Sequence, residues 1–217
     1  MVVSSWPLAK RQQPSANRQE VRVTNDEVLK TYEETQALLK GHFRLSSGRH
    51  SDRYLQSALV MQYPDKAEKL CRALAEKVAP LKPQAILSPA MGGLFVGHEL
   101  ARALKLRHIF TERNKDTDAM ELRRGFSVEK GERVFAVEDI ITTGKSVKES
   151  YQVVRTLGAE VVGVGCLIDR SGGENIFDVP VKALAALKVE SWEEKDCPLC
   201  KQGIPVVKPG SRSKFTH

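Results

Sequence analysis

Two adjacent acids, Glu138 and Asp139, close the apolar run Val134-Phe135-Ala136-Val137, and Ile140-Ile141-Thr142-Thr143-Gly144-Lys145-Ser146 follows at once. A buried strand ending in two carboxylates presents acceptors for ligand hydroxyls, or partners for a divalent cation. The next residues suit the opposite charge. Backbone N–H groups and hydroxyls at a helix start cradle phosphate, Gly144 lets the backbone approach a ligand closely, and Ser146 is placed to cap the helix. Phosphate donors beside hydroxyl acceptors describe a ribose 5-phosphate site. Gly144-Lys145-Ser146 also matches the end of a Walker A loop, but that motif needs a glycine five positions before Gly144, where Asp139 stands. The bland alternative is a strand whose Asp/Thr turn only caps a helix.

Other residues invite the same question. The polar stretch Glu112 to Gly125 carries Arg113, Lys115, Arg123 and Arg124; between strands, such a stretch serves as a mobile lid or is simply a solvated charge run. Arg170 follows an apolar strand and offers a planar fork to a carboxylate, or is an ordinary salt-bridged surface arginine. Arg49 and His50 read as a solvated turn, and no chemistry is assigned to His50. Cys197 and Cys200 have the spacing of half a zinc site, yet no second Cys or His pair is nearby in sequence. Zinc would need distant partners such as His217, or ligands across a dimer. Cys71 and Cys166 read as buried thiols.

The elements that must position these groups alternate. A helix is expected from Asn25, taken as its N-cap, with Val28, Tyr32, Leu38 and Leu39 on its apolar face and Gly41 as its C-cap. Phe43 to Leu45 and Arg53 to Leu59 read as extended, and Pro64 to Val78 as a helix with proline in its first turn. Strands are then expected at Ala85 to Leu87, Arg107 to Phe110, Arg133 to Val137 and Val161 to Ile168. Helices are expected at Phe95 to Leu104 and Ser146 to Leu157. This alternation predicts an α/β fold with a mostly parallel central sheet flanked by helices. Ligands of such sheets bind at the carboxyl ends of the strands, which directs attention to the loops after Leu87, Phe110, Val137 and Ile168.

Of the 217 residues, 41% are hydrophobic and 28% charged, enough apolar content for a packed core. No run approaches the ~20 apolar residues of a membrane span. A formal net charge of +7 suits anionic partners. The Lys and Arg residues are scattered and form no basic helix, so phosphorylated small molecules are expected rather than nucleic acid. Residues 1–24 read as a disordered basic extension and 25–217 as one domain with a C-terminal C-x-x-C tail. The extension lacks the apolar core of a secretory signal, though an acid-free basic start also fits a transit peptide. Without a disulfide framework among four cysteines, a cytoplasmic setting is expected.

The segment from Glu138 to Ser146 resembles the phosphoribosyl diphosphate signature of the type I phosphoribosyltransferases. Phe43-Arg44-Leu45-Ser46-Ser47-Gly48-Arg49-His50-Ser51 with Tyr54 resembles the hood strand of the orotate branch, Ile168-Asp169-Arg170 its base-side strand end, and Cys197-Pro198-Leu199-Cys200 with Lys208-Pro209-Gly210-Ser211-Arg212 the tail of one bacterial group. The resemblance spans roughly Asn25 to Arg212. It implies the type I fold with a small hood built from N- and C-terminal segments. It also implies orotate, phosphoribosyl diphosphate and Mg2+ as ligands, the metal held mainly through the substrate with no direct protein ligand. Glu138 and Asp139 would hold the ribose hydroxyls, Thr142 to Ser146 (with Thr143, Gly144 and Lys145 between them) would wrap the 5′-phosphate, and Ile140 and Ile141 would also line the phosphoribosyl diphosphate site. Met91, Gly92 and Arg113 would meet the diphosphate; Ser47, Gly48, Tyr54, Thr142 and Arg170 would meet orotate. Asp139, Arg113 and Lys115 are the catalytic candidates, and a homodimer sharing the Glu112 to Gly125 lid is implied. Departures from the family pattern are Ser46 and Met91-Gly92, where many members carry lysines, and a lid without histidine. A purine transferase, or a sensor of phosphoribosyl diphosphate that binds nucleic acid, remain the alternatives.

Overall fold

The computed structural model describes residues 22–209 except 46 and 175. Most of the expected extension, Ser46 of the hood match and the end of the tail match from Gly210 onward lie outside the described residues. The chain contains α1 (Asn25–Glu34), β1 (Leu38–Arg44), β2 (His50–Leu55), α2 (Ala58–Met61), α3 (Pro64–Val78), β3 (Ala85–Pro89), α4 (Gly93–Leu104), β4 (Arg107–Arg113) and β5 (Met120–Leu122). These are followed by β6 (Arg133–Ile141), α5 (Lys145–Thr156), β7 (Glu160–Asp169), β8 (Val181–Ala186), β9 (Ser191–Trp192) and α6 (Pro198–Lys201).

Six strands form the main sheet in the order β5-β4-β3-β6-β7-β8. Every pair in it is parallel except β4–β5. Alternate residues face opposite sides, and the core divides accordingly. Ile86, Phe135, Val137 and Leu167 pack with Val28, Tyr32, Leu70, Leu74, Val96 and Leu100 of α1, α3 and α4. Leu87, Val134, Ala136 and Val164 pack on the other side with Val147, Tyr151 and Val154 of α5. The chain moves outward from β3 to β4, then returns to place β6 on the other side of β3. The crevice at the carboxyl ends of β3 and β6 is therefore the topological switch point, where open α/β sheets bind ligands. A second sheet, β1-β2-β9, is antiparallel and forms the hood.

Several sequence expectations need correction. Thr24, assigned above to the extension, is the N-cap of α1 and makes a reciprocal capping box with Glu27, so Asn25 is the first helical residue. The helix stops at Glu34, and Gln36 takes a left-handed φ of 57°. Leu38, Leu39 and Gly41 consequently belong to β1, not to a helix ending at Gly41; a short apolar pair fits either period. The extended stretch expected over Arg53 to Leu59 ends early, because β2 stops at Leu55 and α2 begins at Ala58. Ser57, between them, is buried. The strand taken to end at Phe110 runs on to Arg113 and turns back through β5, pairing Thr111 with Leu122 and Arg113 with Met120. The expected lid is thus the far end of a β-hairpin. Likewise β6 continues through both acids to Ile141, and α5 begins at Lys145 with Gly144, not Ser146, as its N-cap. The Pro64–Val78 helix stands as expected.

Candidate active site

The acid pair lies at the switch point. Asp139 packs against the loop after β3 so closely that a Cβ on Gly92 would meet its Oδ1 at 3.0 Å. The Ser57 hydroxyl and the Ile140 backbone favour the charged form of its carboxyl, and Ser57 is 2.9 Å from the buried Tyr32 hydroxyl. Burial pushes the Asp139 carboxyl above the usual carboxylate range. Glu138 is pushed up to about 8, first by burial and then by the neighbouring Asp139 charge. Two half-buried acids held against each other fit a ligand that brings hydroxyl donors and a cation, since such a ligand favours the charged forms.

The phosphate side follows from the next turn. Gly144 adopts φ 66° and, as N-cap of α5, offers no side chain to its first turn; the Lys145 N–H reaches the Thr143 hydroxyl at 3.4 Å, and Thr142 and Thr143 are exposed beside the helix start. An uncapped helix start is an anion site. Gly144 is also boxed in, because a Cβ there would collide with the Phe177 ring and lie 2.9 Å from the Ile176 side chain. Gly144→Ala is therefore expected to cost about 1–3 kcal/mol of stability. It should also raise the KM for the phosphorylated substrate. Thermal denaturation and steady-state kinetics check the two effects separately.

The hood reaches the same crevice. Tyr54 on β2 feels the Asp139 charge, and burial followed by that charge raises its phenol. Arg170 leaves the end of β7 with its N–H donating to the Ile141 carbonyl at 2.7 Å. Its Nε is buried without a hydrogen-bond partner among the described residues, as is Asp52 Oδ1 on β2. Burial lowers the Arg170 guanidinium, while Asp52 opposes the shift. A buried guanidinium with an unfilled donor is the feature expected of a ligand contact and not of a surface salt bridge. Ser47 and Gly48 sit at the exposed β1–β2 turn, where Gly48 N–H donates to the Leu45 carbonyl; no hydrogen bond joins this turn to the acids among the described residues. Arg49 is not solvated alone, because it binds Glu193 at 2.6 Å and Ser191. His50 is buried, which corrects the solvated-turn reading.

Met91 is largely exposed at the crevice mouth. The lid cations differ from one another. Arg113 is held by Glu149 on α5 and by the Asp118 carbonyl, both at 2.5 Å. Arg124 is paired with Glu112 and lies over the Phe110 ring, and Arg123 is 3.9 Å from Glu121. Lys115 is exposed on the hairpin tip and forms no ion pair with a described residue.

A family profile described as phosphoribosyl transferase domain matches residues 60–194. The chain is 53% identical over 190 residues to an orotate phosphoribosyltransferase of Pelotomaculum thermopropionicum, covering 88% of this chain and 99% of that one. It is 49% identical over 187 residues to the orotate phosphoribosyltransferase of Caldanaerobacter subterraneus, covering 86% and 97%. The crystal structure of orotate phosphoribosyltransferase from Aeropyrum pernix superposes with a TM-score of 0.63 at 26% identity, over 74% of this chain and 93% of that one. Adenine phosphoribosyltransferase from Rhodothermus marinus reaches a TM-score of 0.60 at 20% identity, over 75% and 100%, a likeness of fold alone.

Proposed function

The chain belongs to the orotate phosphoribosyltransferases and so transfers a 5-phosphoribosyl group to orotate, and we propose that the crevice at the β3–β6 switch point is where it does so. The observation that carries this reading is the acid pair Glu138–Asp139 at the end of β6, followed by a helix start whose N-cap Gly144 offers no side chain, together with the buried Nε of Arg170, which has no hydrogen-bond partner among the described residues. The α5 start and Thr142 to Ser146 would hold the 5′-phosphate, and the acids would hold the ribose hydroxyls. Arg170 would take the orotate carboxylate. As diphosphate leaves, the ribosyl carbon acquires oxocarbenium character, so positioning and charge neutralisation supply the catalysis. Mg2+, held mainly through the substrate, would neutralise part of the diphosphate charge. The activity is checked by the loss of orotate absorbance with phosphoribosyl diphosphate and Mg2+. Turnover of adenine or hypoxanthine instead of orotate would overturn the substrate assignment.

Lys115 is the lid cation best placed to act, because Arg113 is already neutralised by Glu149. Lys115→Ala is expected to lower kcat by roughly 10²-fold or more, and Arg113→Ala by less. The reverse order would mean that the hairpin rearranges on closing. We further propose a cytoplasmic homodimer whose lid completes the neighbouring site. Mixing Lys115→Ala with Asp139→Asn protein should then restore about a quarter of wild-type activity, since mixed dimers hold one intact site. A lid acting within its own chain restores none.

A further inference from the structure

Four side chains from three parts of the chain converge beneath the hood: His42 on β1, His50 on β2, and Cys197 and Cys200 at α6. One ligand atom from each lies within 4.8 Å of all the others. Cys197 Sγ is 3.4 Å and Cys200 Sγ 3.7 Å from His42 Nε2. Cys200 Sγ is 3.2 Å from His50 Nδ1, and the two ring nitrogens are 2.9 Å apart. Zn–S bonds of ~2.3 Å and Zn–N bonds of ~2.0–2.1 Å place the corners of a tetrahedral Cys2His2 site about 3.3–3.8 Å apart. The sulfur–nitrogen edges fall in or beside that range, and the nitrogen–nitrogen edge falls below it.

The polar groups that face one another here suit a cation in the middle. His42 Nδ1 is 2.7 Å from the Ile204 carbonyl, which only accepts, so Nδ1 carries the proton. In the neutral ring Nε2 then points a lone pair into the cluster. Two imidazole nitrogens and two sulfurs face one another, with His42, His50 and Cys197 buried. A His50 Nδ1–H could donate to His42 Nε2 at 2.9 Å, but thiols are weak donors, so the two sulfurs keep only weak hydrogen-bonding contacts without a cation. With two thiolates and two neutral imidazoles, a divalent cation leaves the buried cluster neutral.

The fold brings the ligands together through irregular pairing. The register of β1 on β2 shifts between Lys40 and Phe43, a bulge that leaves both His42 and Phe43 buried although they are consecutive. The same neighbourhood anchors the tail: Val207 N–H donates to the His42 carbonyl at 2.8 Å, and Arg44 N–H donates to the Val207 carbonyl at 2.9 Å. The hood sheet has three strands, and β9 contributes two residues. A sheet this small gains stability from a metal staple.

We propose that His42, His50, Cys197 and Cys200 bind one structural Zn2+ ion that pins the C-terminal segment to the hood. All four ligands come from one chain, which closes the coordination sphere and assigns the metal a structural role, separate from substrate-bound Mg2+. The distant partners required by the C-x-x-C pair are thus residues of β1 and β2; the sequence-based candidate His217 lies outside the described residues.

The full chain, prepared without a metal-affinity tag and supplied with ZnCl2, should retain about one zinc per chain after gel filtration, measured by plasma mass spectrometry. Cys197→Ser/Cys200→Ser should retain below about a tenth, and stripping zinc should lower Tm by roughly 10 °C. Should that variant fail to fold, Co2+ exchanged into the wild-type chain decides the matter. Thiolate-to-cobalt charge transfer with tetrahedral d–d bands supports the site. Their absence, zinc retained in the folded double serine variant, or a Cys197–Cys200 disulfide revealed by thiol titration would overturn it.

Discussion

Asp139→Asn should lower kcat/KM for phosphoribosyl diphosphate by about 10²–10⁴-fold while leaving the chain folded. The substitution is nearly isosteric in a place with no room to spare, between the Gly92 backbone and the Ser57 hydroxyl. It removes the charge and turns one acceptor into a donor facing ribose hydroxyls. A loss below about tenfold in a folded variant would show that the acid pair does not hold the substrate. The pH profile supplies a second readout. Glu138 is raised from 4.5 to about 8, partly by Asp139. Substrate that needs the ionised acids should therefore bind more tightly as pH rises toward about 8, and Asp139→Asn should move that midpoint down. The stability of the free protein runs the other way. Because the folded value of Glu138 lies above its unfolded value, the native state holds the extra proton between 4.5 and about 8. The stability tied to it is complete below pH 4.5 and lost as pH rises through about 8. Glu138→Gln should flatten this decline in chemical denaturation.

Arg170→Leu should cost about 2–3 kcal/mol in kcat/KM for orotate, roughly 30- to 150-fold, by stranding the ligand carboxylate in a half-buried site. Uracil lacks that carboxylate and should lose far less, so the ratio of the two bases is the informative quantity. Arg170→Lys should fall between, since it keeps the charge but not the planar fork. Equal losses for both bases would place Arg170 on another group, and loss confined to phosphoribosyl diphosphate would place it on the phosphate side. The wild-type side chain is poised for this contact by its neighbours: the charge of Asp52 on the hood acts on it, and each has one buried polar atom without a partner among the described residues.

The local sequence determined the parts whose signals lie within one element. Pro64 at the start of α3, the alternation of apolar strands with amphipathic helices, and the run Glu138 to Ser146 all carry their own short-range physics. Boundaries were less legible. Leu38 and Leu39 satisfy a helical period with Tyr32, and only pairing with Leu55 and Tyr54 makes them a strand. Lid residues Arg113 and Lys115 look alike in sequence, and they differ because α5 presents Glu149 to one of them. Arg170 gained its distinction only through the tertiary burial of its Nε, with Asp52 of the hood acting on its charge. The metal cluster is the extreme case. His42 and Cys197 are 155 residues apart, and no local pattern links them, so hood pairing and the bulge in β1 alone decide that His42, His50, Cys197 and Cys200 meet.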